Sequence, residues 1–169
     1  DELNHASLID ACRLTRAEVA VVPHRDVEWA RRRLTRVPRT RRVWLVTESV
    51  FSMDGDVAPL TEWYRLAERR GVTLVVDEAH AMGVIGDRGR GVVEAMKLPR
   101  RRVITVGTLS KAFGAQGGVV FSSRLIREWL INTSRPFIYT TGLSPVAVGA
   151  ASASLRLIEK GEALRDRLW

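Results

Sequence analysis

The segment at residues 72–76 constrains the fold most, because it is a near-continuous run of apolar and β-branched side chains (VTLVV). A strand with one face in water alternates apolar and polar residues, whereas a strand covered on both faces is apolar throughout. The segment therefore predicts an inner strand with helices on both of its faces. Parallel sheets are typically covered in this way, because the helices that connect their strands pack on both sides.

The rest of the chain alternates helical and strand patterns around that segment. Helices are expected at residues 7–14, 27–37, 61–70 (with a stop at Gly71), 124–132 and 145–157. Strands are expected at 19–22, 42–47, 72–76, 103–106 and 117–121. Strands separated by helices predict an α/β protein with a largely parallel sheet.

Composition narrows the class of protein without choosing a function. The chain has 169 residues, 46% of them apolar and 27% charged, which fits one soluble domain or a large part of one. No run approaches the ~18 apolar residues of a membrane helix, and the first residues do not have the pattern of a signal peptide. A single cysteine, Cys12, excludes an internal disulfide and suits the cytosol. A cytoplasmic location, with no membrane partner, is therefore expected.

The net charge of +8 raises the question of an acidic partner. All but three of the 27 basic residues are arginine, with clusters at 31–33, 39–42 and 100–102 that alternate with Trp29 and Trp44. Such a pattern could mark a basic nucleic-acid-binding module. However, both tryptophans fall in apolar helix or strand patterns, and a codon bias toward arginine explains the charge. No nucleic-acid partner is expected, and such a module stays an alternative from another class.

Reactive side chains follow three of the predicted strands. Ser52, Asp77, His80 and the segment 108–111 (TLSK) each come shortly after an apolar run. In open α/β sheets, ligands bind at the carboxyl ends of the strands. Each group alone is weak evidence, since an aspartate at a strand end is often a helix cap and a nearby histidine is more often structural. Together they predict a site at this edge.

The residue types at these strand ends favour cofactor chemistry. No metal is expected, because the three histidines lie far apart in the sequence and there is no cysteine pair. Ser110 and Lys111 lack the S-x-x-K spacing of a Ser-Lys hydrolase. A lone lysine at the end of a buried strand suits Schiff-base chemistry with a carbonyl cofactor. An aspartate beneath the cofactor would keep a pyridinium nitrogen protonated, and neighbouring hydroxyl and N–H groups would hold a phosphate.

Four segments resemble signatures of the pyridoxal-phosphate (PLP)-dependent α-oxoamine synthases, in the order and approximate spacing of that family. They are 4–8 (NHASL), 50–55 (VFSMDG), 77–86 (DEAHAMGVIG, followed by GRG at 89–91) and 108–114 (TLSKAFG). The resemblance covers essentially the whole chain. It implies fold type I of the PLP enzymes, an α/β, three-layer, aminotransferase-like large domain with a mostly parallel central sheet.

The resemblance implies a role for each matched residue around the cofactor ring. Lys111 would form the Schiff base with PLP and later remove the Cα proton of the substrate. Asp77 would pair with the pyridine nitrogen, which would stabilise its charge. His80 would hydrogen-bond the phenolic oxygen, with Ser52 near the same edge, and His5 would stack on the ring. Lys111, His5 and His80 are thus the expected catalytic residues, with helix capping the alternative for His5.

The resemblance also implies how the phosphate and a second subunit are placed. Thr108 would bind the phosphate, and Thr140 and Thr141 would reach the phosphate held by the neighbouring subunit of a homodimer. A plain turn before the last predicted helix is the alternative for these two threonines. PLP is therefore the expected cofactor, with active sites shared between subunits.

Four further segments narrow the expected reaction within the family. Residues 10–14 (DACRL), 23–27 (PHRDV), 116–120 (QGGVV) and 135–142 (RPFIYTTG) are most similar to acyltransferases of biotin biosynthesis. These enzymes condense alanine, with loss of CO₂, with the pimeloyl thioester of CoA or a carrier protein. Glycine C-acetyltransferase, 5-aminolevulinate synthase and serine palmitoyltransferase share the four signatures and remain alternatives. So does a truncated relative that keeps the fold without catalysis.

The chain is shorter than the members of that family. Residues 1–169 would form the central part of the PLP-binding large domain, without an upstream phosphate-binding loop and a C-terminal small domain. The small domain would carry the arginine that binds the amino-acid carboxylate, so no arginine here receives that role. The basic surface fits an acidic thioester substrate, and Arg39, Arg41 and Arg42 are the residues expected to contribute to its KM.

Overall fold

The computed structural model describes residues 1–169 and contains one sheet surrounded by helices. The strands are β1 (Trp44–Glu48), β2 (Thr73–Asp77), β3 (Val103–Thr108) and β4 (Gly118–Phe121). The helices are α1 (Ala6–Leu14), α2 (Val27–Thr35), α3 (Leu60–Arg70), α4 (Val92–Ala95), α5 (Arg124–Thr133), α6 (Arg135–Ile138), α7 (Pro145–Glu159) and α8 (Glu162–Leu168), with a 3-10 turn at Arg100–Arg102. None of these helices combines the length and apolar character that crossing a membrane requires.

The four strands lie in the order β1-β2-β3-β4. The first three run parallel, and β4 pairs antiparallel with β3. The register places Glu48 beside Asp77, and Asp77 beside Val106. The carboxyl ends of the three parallel strands therefore meet at one edge, as the α/β prediction requires.

The core lies between β2 and the helix that precedes it. Leu74 and Val76 have no exposed surface, and they share the core with Leu60 and Ala67 of α3, which are also fully buried. Burial of each large aliphatic side chain contributes roughly 1.5–3 kcal/mol. The predicted helix stop is confirmed, because Gly71 ends α3 in the left-handed conformation. The opposite face of β2 is only half-buried within this chain, so the prediction of full cover on both faces holds for one face.

Some elements differ from the sequence prediction. Residues 19–22 form no strand, because no neighbouring strand pairs with them and their one backbone hydrogen bond joins Glu2 N to Val22 O at 2.9 Å. Helices α4, α6 and α8 were not predicted, since seven residues or fewer are too short for a periodic apolar pattern. Trp29 packs against the core as expected, whereas Trp44 is 52% exposed at the start of β1.

A buried carboxylate connects the loop at residues 83–91, which contains four glycines, to the sheet. Glu78 has no exposed surface and accepts hydrogen bonds from Ser49 Oγ (3.0 Å), Val92 N (2.9 Å) and Val93 N (2.8 Å). The two amides belong to the first turn of α4, which has no side-chain cap at its N-cap residue, Gly91. Gly91 has a φ of +92°, and a Cβ there would collide with the Glu78 carboxylate. The loop therefore follows the path that this carboxylate allows.

Replacing Gly91 with alanine tests that close approach. We expect Gly91→Ala to lower the free energy of unfolding by roughly 3 kcal/mol or more, from the positive φ and the steric collision together. Gly55→Ala is the matched control, because Gly55 has a φ of +71° with nothing near its Cβ position. Urea unfolding measures both, and equal losses in the two variants would show that the collision costs nothing.

Candidate functional site

A cleft of about 410 Å³ opens at the carboxyl edge of the parallel strands. Its walls come from the strand ends, the loops that follow them and the start of α1. Five of the predicted site residues line it: His5, Asp77, His80, Thr108 and Lys111. The parallel register explains their convergence, since it brings the ends of β1, β2 and β3 side by side.

Three predicted cofactor-binding residues lie outside this cleft. Ser52 is exposed in a turn after β1. Thr140 and Thr141 are exposed in the loop between α6 and α7. Exposure leaves the two threonines free to meet another chain. Their place at a neighbouring subunit, and that of Ser52 near the cofactor ring, therefore stay predictions.

Asp77 and Lys111 present opposite charges to the cleft. Asp77 is half-buried at the end of β2, and its Oδ1 accepts a hydrogen bond from Ala79 N at 2.8 Å. Its other oxygen, Oδ2, accepts no hydrogen bond from the chain. Lys111 follows β3 closely, is exposed and forms no ion pair. Both groups are therefore available to a ligand in the cleft.

His80 is half-buried near the lysine and the aspartate. Burial lowers the pKa of its imidazole below the ordinary 6.5, and the Lys111 ammonium lowers it further, while Asp77 opposes the shift. The ring is therefore neutral at pH 7 and has one N–H to donate. A neutral donor suits an anionic oxygen held close to a lysine.

The pKa of His80 has a measurable consequence for stability. The His80 imidazole takes up its proton at a higher pH in the unfolded chain than in the folded protein. As the pH falls from 6.5 through the folded-state pKa, the free energy of unfolding should therefore decrease. Imidazole NMR shifts across a pH series check the folded-state value. In Lys111→Ala, loss of the ammonium should raise the pKa of His80. A value of 6.5 or above in the unmodified protein would contradict the prediction.

His5 begins α1 and also lines the cleft. Its Nδ1 accepts a hydrogen bond from Ser7 N (3.2 Å) and lies 2.8 Å from Ser7 Oγ. The capping alternative is therefore confirmed. It does not compete with a ligand contact, because Nε2 of His5 forms no hydrogen bond and the ring borders the cleft. Its stacking on a cofactor ring stays a prediction.

Hydroxyl groups cluster at the end of β3. The Thr108 and Ser110 oxygens lie 2.6 Å apart, and Ser110 N donates to Thr108 Oγ1 at 3.1 Å. Thr108 Oγ1 also lies 3.4 Å from the carbonyl oxygen of Gly117, on the loop that leads into β4. This polar turn offers hydroxyl donors to a phosphate oxygen.

Glu48 and Asn4 belong to the site region but were missed from the sequence. Glu48 ends β1, is 2% exposed, and its carboxylate accepts the backbone N–H of His5. Burial raises the pKa of Glu48, the His5 hydrogen bond opposes the rise and Asp77 adds to it. Asn4 Oδ1 accepts from Glu48 N at 3.2 Å, and its Nδ2 donates to Val46 O at 3.0 Å. The available signal was an acidic residue directly after an apolar strand.

The whole chain, residues 1–169, matches the family described as aminotransferase class I and II. The 8-amino-7-oxononanoate synthase of Mycolicibacterium gilvum is 51% identical over 159 residues, which are 94% of this chain and 42% of that protein. The enzyme of the same name from Thermoanaerobacter pseudethanolicus is 46% identical over 170 residues, covering 100% of this chain and 43% of that protein. The chain thus spans less than half the length of these relatives.

Solved structures agree with the sequence matches. A serine palmitoyltransferase from S. paucimobilis, with bound PLP-myriocin aldimine, has a TM-score of 0.94 and 40% identity, covering 99% of this chain and 43% of its own. An 8-amino-7-oxononanoate synthase from Francisella tularensis has a TM-score of 0.86 and 33% identity, covering 99% of this chain and 48% of its own. These similarities confirm the predicted fold class.

Proposed function

The chain belongs to the aminotransferase class I and II family, and we propose that it is part of an α-oxoamine synthase that makes 8-amino-7-oxononanoate from alanine and a pimeloyl thioester. The observation that carries the proposal is the single cleft shared by Lys111, Asp77 and His80. The two relatives of that name, at 51% and 46% identity, support the choice of product. The structural similarity to serine palmitoyltransferase favours a sister condensation as the second candidate.

The groups in the cleft fit PLP. The exposed amine of Lys111, free of ion pairs, suits attack on an aldehyde carbon. The unbonded Oδ2 of Asp77 suits a protonated ring nitrogen. The hydroxyls of Thr108 and Ser110, 2.6 Å apart, suit a phosphate. The donor set therefore matches the three polar parts of this cofactor.

Bound PLP supplies an aldehyde for the substrate amine and a pyridinium ring that withdraws electrons from the substrate Cα. Asp77 keeps the proton on the ring nitrogen through its negative charge. Lys111 Nζ takes the proton from Cα and later returns one to the product. Neutral His80 donates its N–H to the phenolic oxygen, and the ring of His5 covers the cleft and excludes water. These side chains thus divide charge stabilisation, proton transfer and shielding among them.

The position of three arginines bears on their expected effect on the KM for the thioester. Arg39, Arg41 and Arg42 precede β1 and therefore lie toward the amino edge of the sheet, opposite the cleft. The five residues of β1 separate the two edges by roughly 17 Å. These arginines are too far away to contact the reacting thioester carbonyl. Any contribution of these arginines to the KM for the thioester would come from contact with a part of the thioester that is remote from the carbonyl.

The proposal also includes the oligomeric state, the position of Ser52 and the cellular location. A homodimer, in which Thr140 and Thr141 of one subunit reach the phosphate bound to the other, is supported by the exposure of this loop. Ser52 is proposed to lie near the cofactor ring, and the protein is proposed to act in the cytoplasm. The nucleic-acid-binding alternative has only the arginine clusters and the net charge of +8 in its favour.

A substrate comparison tests the function. The full-length protein that contains this chain is purified and incubated with PLP, one of L-alanine, glycine or L-serine, and pimeloyl-CoA, acetyl-CoA or palmitoyl-CoA, and products are identified by mass spectrometry. We expect 8-amino-7-oxononanoate, formed only with alanine and the pimeloyl thioester. A product from serine and palmitoyl-CoA would assign the sister reaction. PLP binding without condensation of any pair would contradict the synthase proposal.

A further inference from the structure

Glu48 is a buried carboxyl group in the wall of the cleft with no part in the mechanism above. It is 2% exposed, ends β1, and pairs in register with Asp77. Holding a carboxylate in a buried position costs free energy unless hydrogen bonds compensate for the lost water. The hydrogen bond that its Oε1 accepts comes from the backbone N–H of His5, which lies outside the sheet.

The start of α1 depends on polar contacts of this kind. The helix has no buried residue, so apolar packing contributes little to holding it against the sheet. Three residues before it form hydrogen bonds with the end of β1. The His5 N–H donates to the Glu48 carboxylate, and the Asp1 amino group donates to Val46 O. The Asn4 side chain donates to Val46 O and accepts from Glu48 N. Among these contacts, the bond to Glu48 is the one made by His5 itself.

We propose that Glu48 is a positioning residue: its carboxylate holds the main chain of His5 so that the imidazole faces the cleft. The inference deepens the proposed function and rests on it, since His5 is proposed there to cover the bound cofactor. Two local constraints then act on one residue. Glu48 holds the His5 backbone, and Ser7 holds Nδ1 of the ring at 3.2 Å, leaving Nε2 and the ring face toward the cleft.

The test separates this role from a general effect on stability. Loss of this oxygen acceptor predicts a PLP dissociation constant roughly 10-fold higher in Glu48→Ala, measured by absorbance titration. His5→Ala should weaken binding to a similar extent. Because the carboxylate acts through His5, the double variant should be no weaker than His5→Ala. Additive losses, roughly 100-fold in the double variant, would overturn the inference.

Two further variants control for side-chain chemistry. Glu48→Gln keeps an oxygen acceptor of the same reach, so we expect its PLP affinity to stay close to that of the unmodified protein. Asp10→Ala removes an exposed acid from α1 that pairs only with Arg13, and it should leave the affinity unchanged. An affinity loss in Asp10→Ala as large as in Glu48→Ala would show that acidic charge near α1, rather than the contact with His5, is what matters.

A second measurement needs no cofactor. Hydrogen exchange of the His5 amide should be roughly 10-fold faster in Glu48→Ala, because its acceptor is removed. It should stay slow in Glu48→Gln and in Asp10→Ala. If the unmodified protein fails to bind PLP, the proposed function fails while the exchange result still tests the contact. Equal exchange rates in the unmodified protein and Glu48→Ala would overturn the inference itself.

Discussion

Replacing Lys111 with alanine should abolish the covalent attachment of PLP and lower the condensation rate by roughly 10⁴-fold or more, because one side chain is proposed as both Schiff-base partner and base. The side chain is exposed and forms no ion pair, so the free energy of unfolding should change little. Borohydride reduction followed by peptide mass mapping checks the attachment site. In the unmodified protein, the reduced pyridoxyl group should lie on the peptide that contains Lys111.

The chain offers well-matched controls for that experiment. Lys97 and Lys160 are the only other lysines, and both are exposed and outside the cleft. Lys97→Arg and Lys160→Arg should therefore keep full labelling. Labelling that persists in Lys111→Ala and maps to either of them would show that the assignment of the Schiff-base lysine is wrong. Absence of label in the unmodified protein would remove the cofactor from the proposal.

Removing the buried carboxylate of Glu78 should have the largest effect on stability. Glu78→Ala leaves Val92 N, Val93 N and Ser49 Oγ without their acceptor in a site that has no exposed surface. Unpaired buried donors and the new cavity together predict a loss of about 4 kcal/mol in the free energy of unfolding. For a chain of this size that corresponds to a Tm lower by roughly 10 °C. Urea and thermal unfolding measure the two quantities.

The pH dependence of the same variant gives an independent test. Burial raises the pKa of Glu78 above its ordinary 4.5, so the folded state holds this proton more tightly than the unfolded state. Its contribution to stability is therefore greatest below pH 4.5 and falls as the pH rises through the folded-state pKa. The difference in the free energy of unfolding between the unmodified protein and Glu78→Ala should therefore shrink as the pH rises from 4.5 through the folded-state pKa. Glu62→Ala, which removes an exposed acid from the first turn of α3, should lower the free energy of unfolding by roughly 1 kcal/mol or less.

Local chemistry was sufficient to predict several features from the sequence. The apolar run before Asp77 predicted the strand at the centre of the core, and Gly71 predicted the end of α3. The rule that ligands bind at carboxyl strand ends then predicted that Asp77 and Lys111 would meet. Each of these predictions depends on one segment of chain or on a general property of parallel sheets, so the sequence alone could support it.

Other features depend on contacts between distant segments. Residues 19–22 have the composition of a strand but find no partner, and β4 runs antiparallel only because of how its loop returns to β3. Glu48 looks like an ordinary acid at a strand end. It becomes a buried hydrogen-bond partner of His5 because the fold brings together two residues that lie 43 positions apart in the sequence.

The amino-acid sequence by itself therefore determined the class of sheet, the family signatures and the reactive residue types, because these follow from local patterns. Only the tertiary structure decided which of those residues share a cleft. It placed His5 at the edge where His80 and Lys111 were expected to meet, and it left Ser52, Thr140 and Thr141 exposed outside. The physical reason is strand register and loop path, which are set by packing between segments far apart in the chain and by the hydrogen bonds of buried groups such as Glu48 and Glu78.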